Sequence, residues 1–185
     1  MKLPTQSRQA GTALIMSLGL LAILSLIGFT SMQTSSLEEK LTGNVRSRSF
    51  AFSSAETALE VGADWVRDQA NVQLNEFNEL FQCPDSGTVQ LGYYRADSVK
   101  CSGGQPAWQE IEQNQEWETK GLEVKTGMKA LSSQPRYIIE GSDLRSFNLE
   151  AGTPHMRTFV YRITARGVGN TEKAIVMLQA TAQTN

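Results

Sequence analysis

No charged side chain occurs between Gln9 and Leu37, and within that stretch residues 13–29 form an apolar run close to the N-terminus. A helix that crosses a bilayer needs about 20 largely apolar residues. Residues 12–32 reach that length, so one segment of this chain is suited to lipid before anything else about it is known. Lys2 and Arg8 precede the segment and no acidic residue does. Basic residues collect on the cytoplasmic flank of a span, which predicts residues 1–11 inside and residues 33–185 exported. An ordinary secretory signal peptide and a generic single-pass anchor are the competing readings. A signal peptide has an apolar region of about 7–15 residues and ends in a small-residue cleavage site. Here Thr30, Ser31, Met32 and Gln33 follow Phe29, and no A-x-A pattern is present.

The remainder describes one exported soluble part, because no second window approaches 18 apolar residues. Its charge is close to balanced. The whole chain has 17 basic and 19 acidic residues, and without Lys2 and Arg8 the balance is 15 to 19. No basic stripe points to nucleic acid. Cys83 and Cys101 are an even pair separated by a loop rich in Pro, Gly, Asp and Ser. In an exported segment such a pair is expected to form a disulfide. By the chain-entropy model, closing that loop stabilises a fold by ~3 kcal/mol. The spacing is wrong for a redox C-x-x-C, and the single histidine, His155, is too little for a zinc site.

No proline lies between Pro4 and Pro84. Leu37, Leu41, Val45, Phe52, Ala55, Leu59, Gly62 and Val66 recur at helical spacing, with Glu38, Arg46, Arg48, Glu56, Glu60 and Asp64 on the other face. This pattern predicts one helix over residues 12–67, about 84 Å long, whose C-terminal half is covered by a folded head. Gly19, Gly28 and Gly43 are its weak points. Residues 71–120 are irregular and read as a connecting region stapled by the disulfide. Strand signals follow at 121–126, 136–140, 158–166 and 173–182, the clearest being the alternation of Phe159, Tyr161, Ile163 and Ala165. Residues 167–172 suit a hairpin loop between the last two. The fold class is therefore α+β: a long N-terminal helix, membrane-spanning at first and then amphipathic, against a C-terminal antiparallel sheet of three to four strands.

A short basic leader, then glycine, then an unbroken apolar helix leading into antiparallel strands resembles type IV pilins and pseudopilins. Residues 8–16 resemble a prepilin leader-peptidase junction. Residues 31–44 and 48–59 resemble the start of PilX-type minor pilins, and residues 135–140 and 161–167 extend the likeness into the head. The resemblance implies a leader over residues 1–11, cleavage between Gly11 and Thr12, and N-methylation of Thr12. It also implies a head over residues 68–185 with a disulfide loop at 83–101. The partners it implies are other minor pilins, the major pilin, prepilin peptidase and the inner-membrane assembly machinery. The protein would be held in the inner membrane through residues 12–32 with its head periplasmic, and would then enter a pilus serving attachment and twitching motility. Major pilins place glutamate at the fifth mature position and usually phenylalanine at the first, whereas this chain has Met16 and Thr12. Absence of that glutamate points to a position at or near the pilus tip.

The same absence is a feature of the K-type pseudopilin of type II secretion, and a membrane-anchored adhesin is a third reading. An enzyme is not expected. The chain has no G-x-S-x-G, no H-E-x-x-H and no paired-histidine motif, and the glycines near residue 169 lack the lysine of a phosphate loop. No cofactor is implied.

Overall fold

A computed structural model describes residues 10–69, 74–83, 91–96, 105–145 and 157–184. The chain parts into two compact units between Val45 and Arg46. Helix α1, Ala10–Asp68, is unbroken across that point, as a stretch without proline permits. Its end tightens where the Gln69 N–H donates to the Val66 carbonyl at 3.1 Å. Arg67 in the last turn complements the helix dipole.

In the first unit every described side chain of α1 from Gly11 onward is exposed. The second unit begins at Arg46 and has three layers. Its middle layer is a sheet made, among the described residues, of β1 (Tyr93–Arg95), β2 (Leu122–Glu123), β3 (Arg136–Arg145), β4 (Arg157–Val168) and β5 (Ile175–Thr184). β3, β4 and β5 are antiparallel neighbours in that order, and each of the two junctions has ten consecutive residue pairs. β2 pairs antiparallel with β3, so the expected antiparallel strands are all present. A fifth strand joins them: β1 runs parallel to β3, with Tyr93 opposite Ile139.

Alternation along the strands divides the core. Tyr137, Ile139, Tyr161, Ile163 and Ala165 face α1 and α2 (Leu74–Leu80), where Ala58, Val66, Phe77 and Phe81 are buried against them. Ile138 faces the other way, toward α3 (Ala107–Gln113) and α4 (Trp117–Lys120), among Tyr94, Ile111 and Trp117. Aromatic contacts hold α2 down: Phe77 stacks on Phe159 at 4.6 Å and tilts against Phe81 at 4.7 Å. Trp65 of α1 lies 4.6 Å from Tyr93.

The helix meets the sheet through small residues. Ser47, Ala51, Ser54, Ala55, Ala58 and Gly62 form the buried stripe. Opposite them, a Cβ on Gly167 would collide with the Ala51 carbonyl oxygen, and one on Gly169 with the Ser47 carbonyl oxygen. Glycine is required there because backbone approaches backbone. The expected stripe is thus half correct. Ala55, Gly62 and Val66 are buried and Leu59 partly so, but Leu37, Leu41, Val45 and Phe52 are exposed. Apolar periodicity reports a shared face and leaves open what that face meets.

Residues 105–120 depart from the irregular reading. Pro106, with φ −61° and ψ 142°, leads into α3. The N–H of Ala107, at the first turn, donates to Glu140 Oε1 at 2.7 Å. Such short helices have little intrinsic stability and form because the sheet supplies their partners.

Candidate functional site

Three features of the described residues bear on function: the apolar helix, an exposed ridge that follows it, and the polar contacts of the head. The apolar part of α1 contains a window of mean hydropathy 2.3, of which none is buried by the rest of the protein. This is the one helix among the described residues that is long and apolar enough to cross a membrane. Three hydroxyls in and just past this part are turned back on the backbone. Ser17 donates to the Leu14 carbonyl at 2.9 Å, Thr30 to Ile27 at 2.9 Å and Thr34 to Thr30 at 3.0 Å. A hydroxyl satisfied in this way enters lipid at less cost than an unpaired one. Around Gly19 and Gly28 there is open space where a Cβ would stand.

Met16 lies one helical turn beyond Thr12 and is 77 % exposed. Gly11 and Thr12 both lie inside α1, so the expected cleavage point falls within its first turn. Cys83 follows Gln82, which bridges to Tyr94. Its expected partner Cys101 and the solitary His155 lie outside the described residues.

Past the apolar window, Leu37, Leu41, Val45 and Phe52 continue as exposed apolar positions at spacings of four, four and seven. Beside Phe52, the flank of α1 carries Glu56 and Glu60 over a groove of about 440 Å³ whose far wall is Ala180 of β5. Among the described residues no basic side chain lines this groove.

On the head, ion pairs tie layers together. Glu140 is fully buried, accepts the Ala107 N–H on one oxygen, and on the other accepts from Arg162 Nε at 2.9 Å. Arg162 is its directly opposed neighbour across β3 and β4. Arg95 of β1 bridges α2 and β3, reaching Asn78 Oδ1 at 2.9 Å and Asp143 Oδ1 at 3.0 Å. Trp117 Nε1 donates to Glu112 Oε2 at 2.7 Å, and Arg166 Nε lies 3.5 Å from the same oxygen. Sequence reading missed Glu140, although a glutamate that directly follows the apolar run of Tyr137, Ile138 and Ile139 is the kind of signal that marks a buried, paired charge.

Burial dominates the titration of the core tyrosines. Tyr93, beside Tyr137, and Tyr94, whose hydroxyl donates to the Lys120 carbonyl at 2.8 Å, are each pushed up to about 12. These groups hold layers together. Among the described residues no three His, Cys, Asp or Glu side chains gather as metal ligands.

Two family models cover this arrangement. One, described as PilX N-terminal, matches residues 10–60, and the other, described as Type IV pilus assembly protein PilX C-term, matches residues 64–184. The chain belongs to the PilX family. No curated relative and no solved structure shows a significant match. The N-terminal match spans the apolar segment, the ridge and most of the stretch of α1 that packs on the sheet, and the C-terminal match spans the sheet with α2, α3 and α4. PilX membership makes this a type IV pilus minor pilin, a structural component with a membrane-anchoring helix. The PilX-type resemblance read from residues 31–44 and 48–59 is thereby confirmed at the level of the family.

Proposed function

We propose that this minor pilin sits at or near the pilus tip, within a small complex that primes filament assembly and so serves attachment and twitching. Met16 carries the reading. In major pilins the corresponding glutamate is thought to meet the terminal amine of a neighbouring subunit, because a charge placed among apolar helices needs a partner. This chain presents an exposed methionine there, in a segment free of charge from residue 10 to residue 36. A subunit that cannot offer the carboxylate has no bond to make to a subunit ahead of it, and the foremost place requires none.

The processing steps belong to the same proposal. Residues 1–11 are a leader removed after Gly11, Thr12 becomes N-methylated, residues 12–32 cross the inner membrane, and the head over residues 68–185 is periplasmic with a Cys83–Cys101 disulfide. Prepilin peptidase, the major pilin, other minor pilins and the assembly machinery are the partners. Assembly needs no bond-making by this chain. Helices associate in lipid by close packing and then become the apolar core of a fibre.

Intact mass under non-reducing conditions, from cells with and without prepilin peptidase, tests the processing. Residues 12–185 plus one methyl group and less two hydrogens is the expected mass, found only with the peptidase. Immunogold labelling of sheared pili tests the position. Labelling along the shaft, unchanged by Met16→Glu, would overturn the tip assignment.

A further inference from the structure

The two margins of the sheet are built differently. On one side β3 is flanked by β1, three residues long and ending in Arg95, and by β2, two residues long and ending in Glu123. Short strands with charges are how proteins keep an edge from pairing with other chains. β5 has none of these devices. Its ten residues include no charge and no proline, and its register with β4 runs from Ile175 to Thr184 without a bulge. Among the described residues no strand pairs with its outer side.

Beyond that side lies the groove walled by Ala180 and by the flank of α1 that carries Glu56 and Glu60. Neither glutamate is in an ion pair with another described residue. A strand laid beside β5, about 4.8 Å away, would turn alternate side chains toward α1. Successive side chains on one face of a strand are about 6.7 Å apart. Glu56 and Glu60, one turn apart, are separated by about 6 Å along the helix.

We propose that the outer edge of β5 accepts an extended strand from a different chain, with lysine or arginine at alternate positions facing Glu56 and Glu60. Main-chain hydrogen bonds would supply affinity and the glutamates would set the register and choose the partner. A second copy of this chain is a poorer occupant. Pairing β5 with itself would turn two acidic flanks toward each other on one face of the joined sheet, and like charges so placed repel. The proposal uses the pilus reading only to say that other subunits are at hand; the strand site stands on the geometry alone.

The test uses the full chain in detergent micelles and three synthetic ten-residue peptides. One alternates lysine with valine, the second replaces every lysine with glutamate, and the third is the lysine peptide N-methylated at alternate amides. Fluorescence anisotropy gives affinity, and amide hydrogen exchange shows where each peptide sits. The lysine peptide is expected to bind and to slow exchange within residues 175–184. The glutamate peptide is expected to bind at least tenfold more weakly, and so is the N-methylated peptide, which keeps the charge and loses the ladder. The double variant E56Q and E60Q should lose about tenfold in affinity for the lysine peptide with its thermal unfolding unchanged. Failure of the lysine peptide to bind, equal binding of all three, protection elsewhere, or protection of 175–184 by self-association would each overturn the proposal. None of these results depends on pilus assembly, so this reading and the tip assignment can fail separately.

Discussion

Two stretches of one helix, with the same backbone geometry, have opposite chemistry. From Leu14 to Phe29 the large side chains are 56 % exposed or more, and the rest of the protein does nothing for them. From Ser47 to Gly62 the inward side chains are small and wholly covered. Large apolar residues therefore mark the part of α1 that waits for another environment, and small ones mark the part that already has its partner. The usual equation of large with core is reversed because the sheet approaches close enough to need glycine at positions 167 and 169.

A pair of phenylalanines offers the sharpest way to break that comparison. Phe77→Ala removes a fully buried ring that stacks on Phe159 and is expected to lower the unfolding free energy of the head by about 3–5 kcal/mol. Phe29→Ala, at 64 % exposure, should leave denaturant unfolding of the head unchanged. A loss above about 1 kcal/mol from Phe29→Ala would mean that the two stretches are not independent.

Charge offers the next test. Leu21→Lys puts an ammonium near the middle of the apolar window and is expected to cost about 3 kcal/mol in membrane insertion, read as release from membranes into the soluble fraction. Leu41→Lys, farther along the same helix, should leave fractionation unchanged. Equal release by both variants would remove the boundary between span and ridge.

Glycine offers a third. Gly167→Ala is expected to destabilise the head by about 1–3 kcal/mol through overpacking against Ala51, as measured by chemical denaturation. Gly19→Ala meets open space and should raise helix stability by up to about 1 kcal/mol. A neutral Gly167→Ala would show that the helix and sheet have room to relax.

The last test follows pH. The pKa values of Tyr93 and Tyr94 are raised above their unfolded value of 10 to about 12 by burial. Their contribution is complete below pH 10 and is lost as pH rises through 12. Melting temperature should fall only in that window, together with the appearance of tyrosinate absorbance. Tyrosinate formed at pH 10 without loss of structure would place these hydroxyls in solvent.

Legibility in the sequence followed the length of each element. α1 and the hairpin of β4 and β5 were readable because their periodicity repeats over many residues, as in Phe159, Tyr161, Ile163 and Ala165. β1, α2, α3 and α4 were not. Three to seven residues give too few turns for a pattern, and what fixes them is distant: Glu140 for the start of α3, Asp143 for β1, Phe159 for the packing of α2. The membrane segment was readable from missing charge alone. The ridge at Leu37, Leu41, Val45 and Phe52 has the same helical spacing as the covered positions that follow it, and spacing alone does not say which of them are covered. The sheet contact was hidden in serines and alanines, although Ser47, Ala51, Ser54, Ala55, Ala58 and Gly62 do recur on one face and carry that signal.

The close approach of Ala51 to Gly167 and of Ser47 to Gly169 also has a mechanical meaning. Ala51 is flanked by Phe50 and Phe52. A screw slip of one residue, about 1.5 Å along the axis with 100° of rotation, would bring a phenyl ring to the covered place that now holds only the methyl of Ala51. The contact is therefore a detent. Sliding of the packed part of α1 along β4 is opposed by sterics at the first one-residue step.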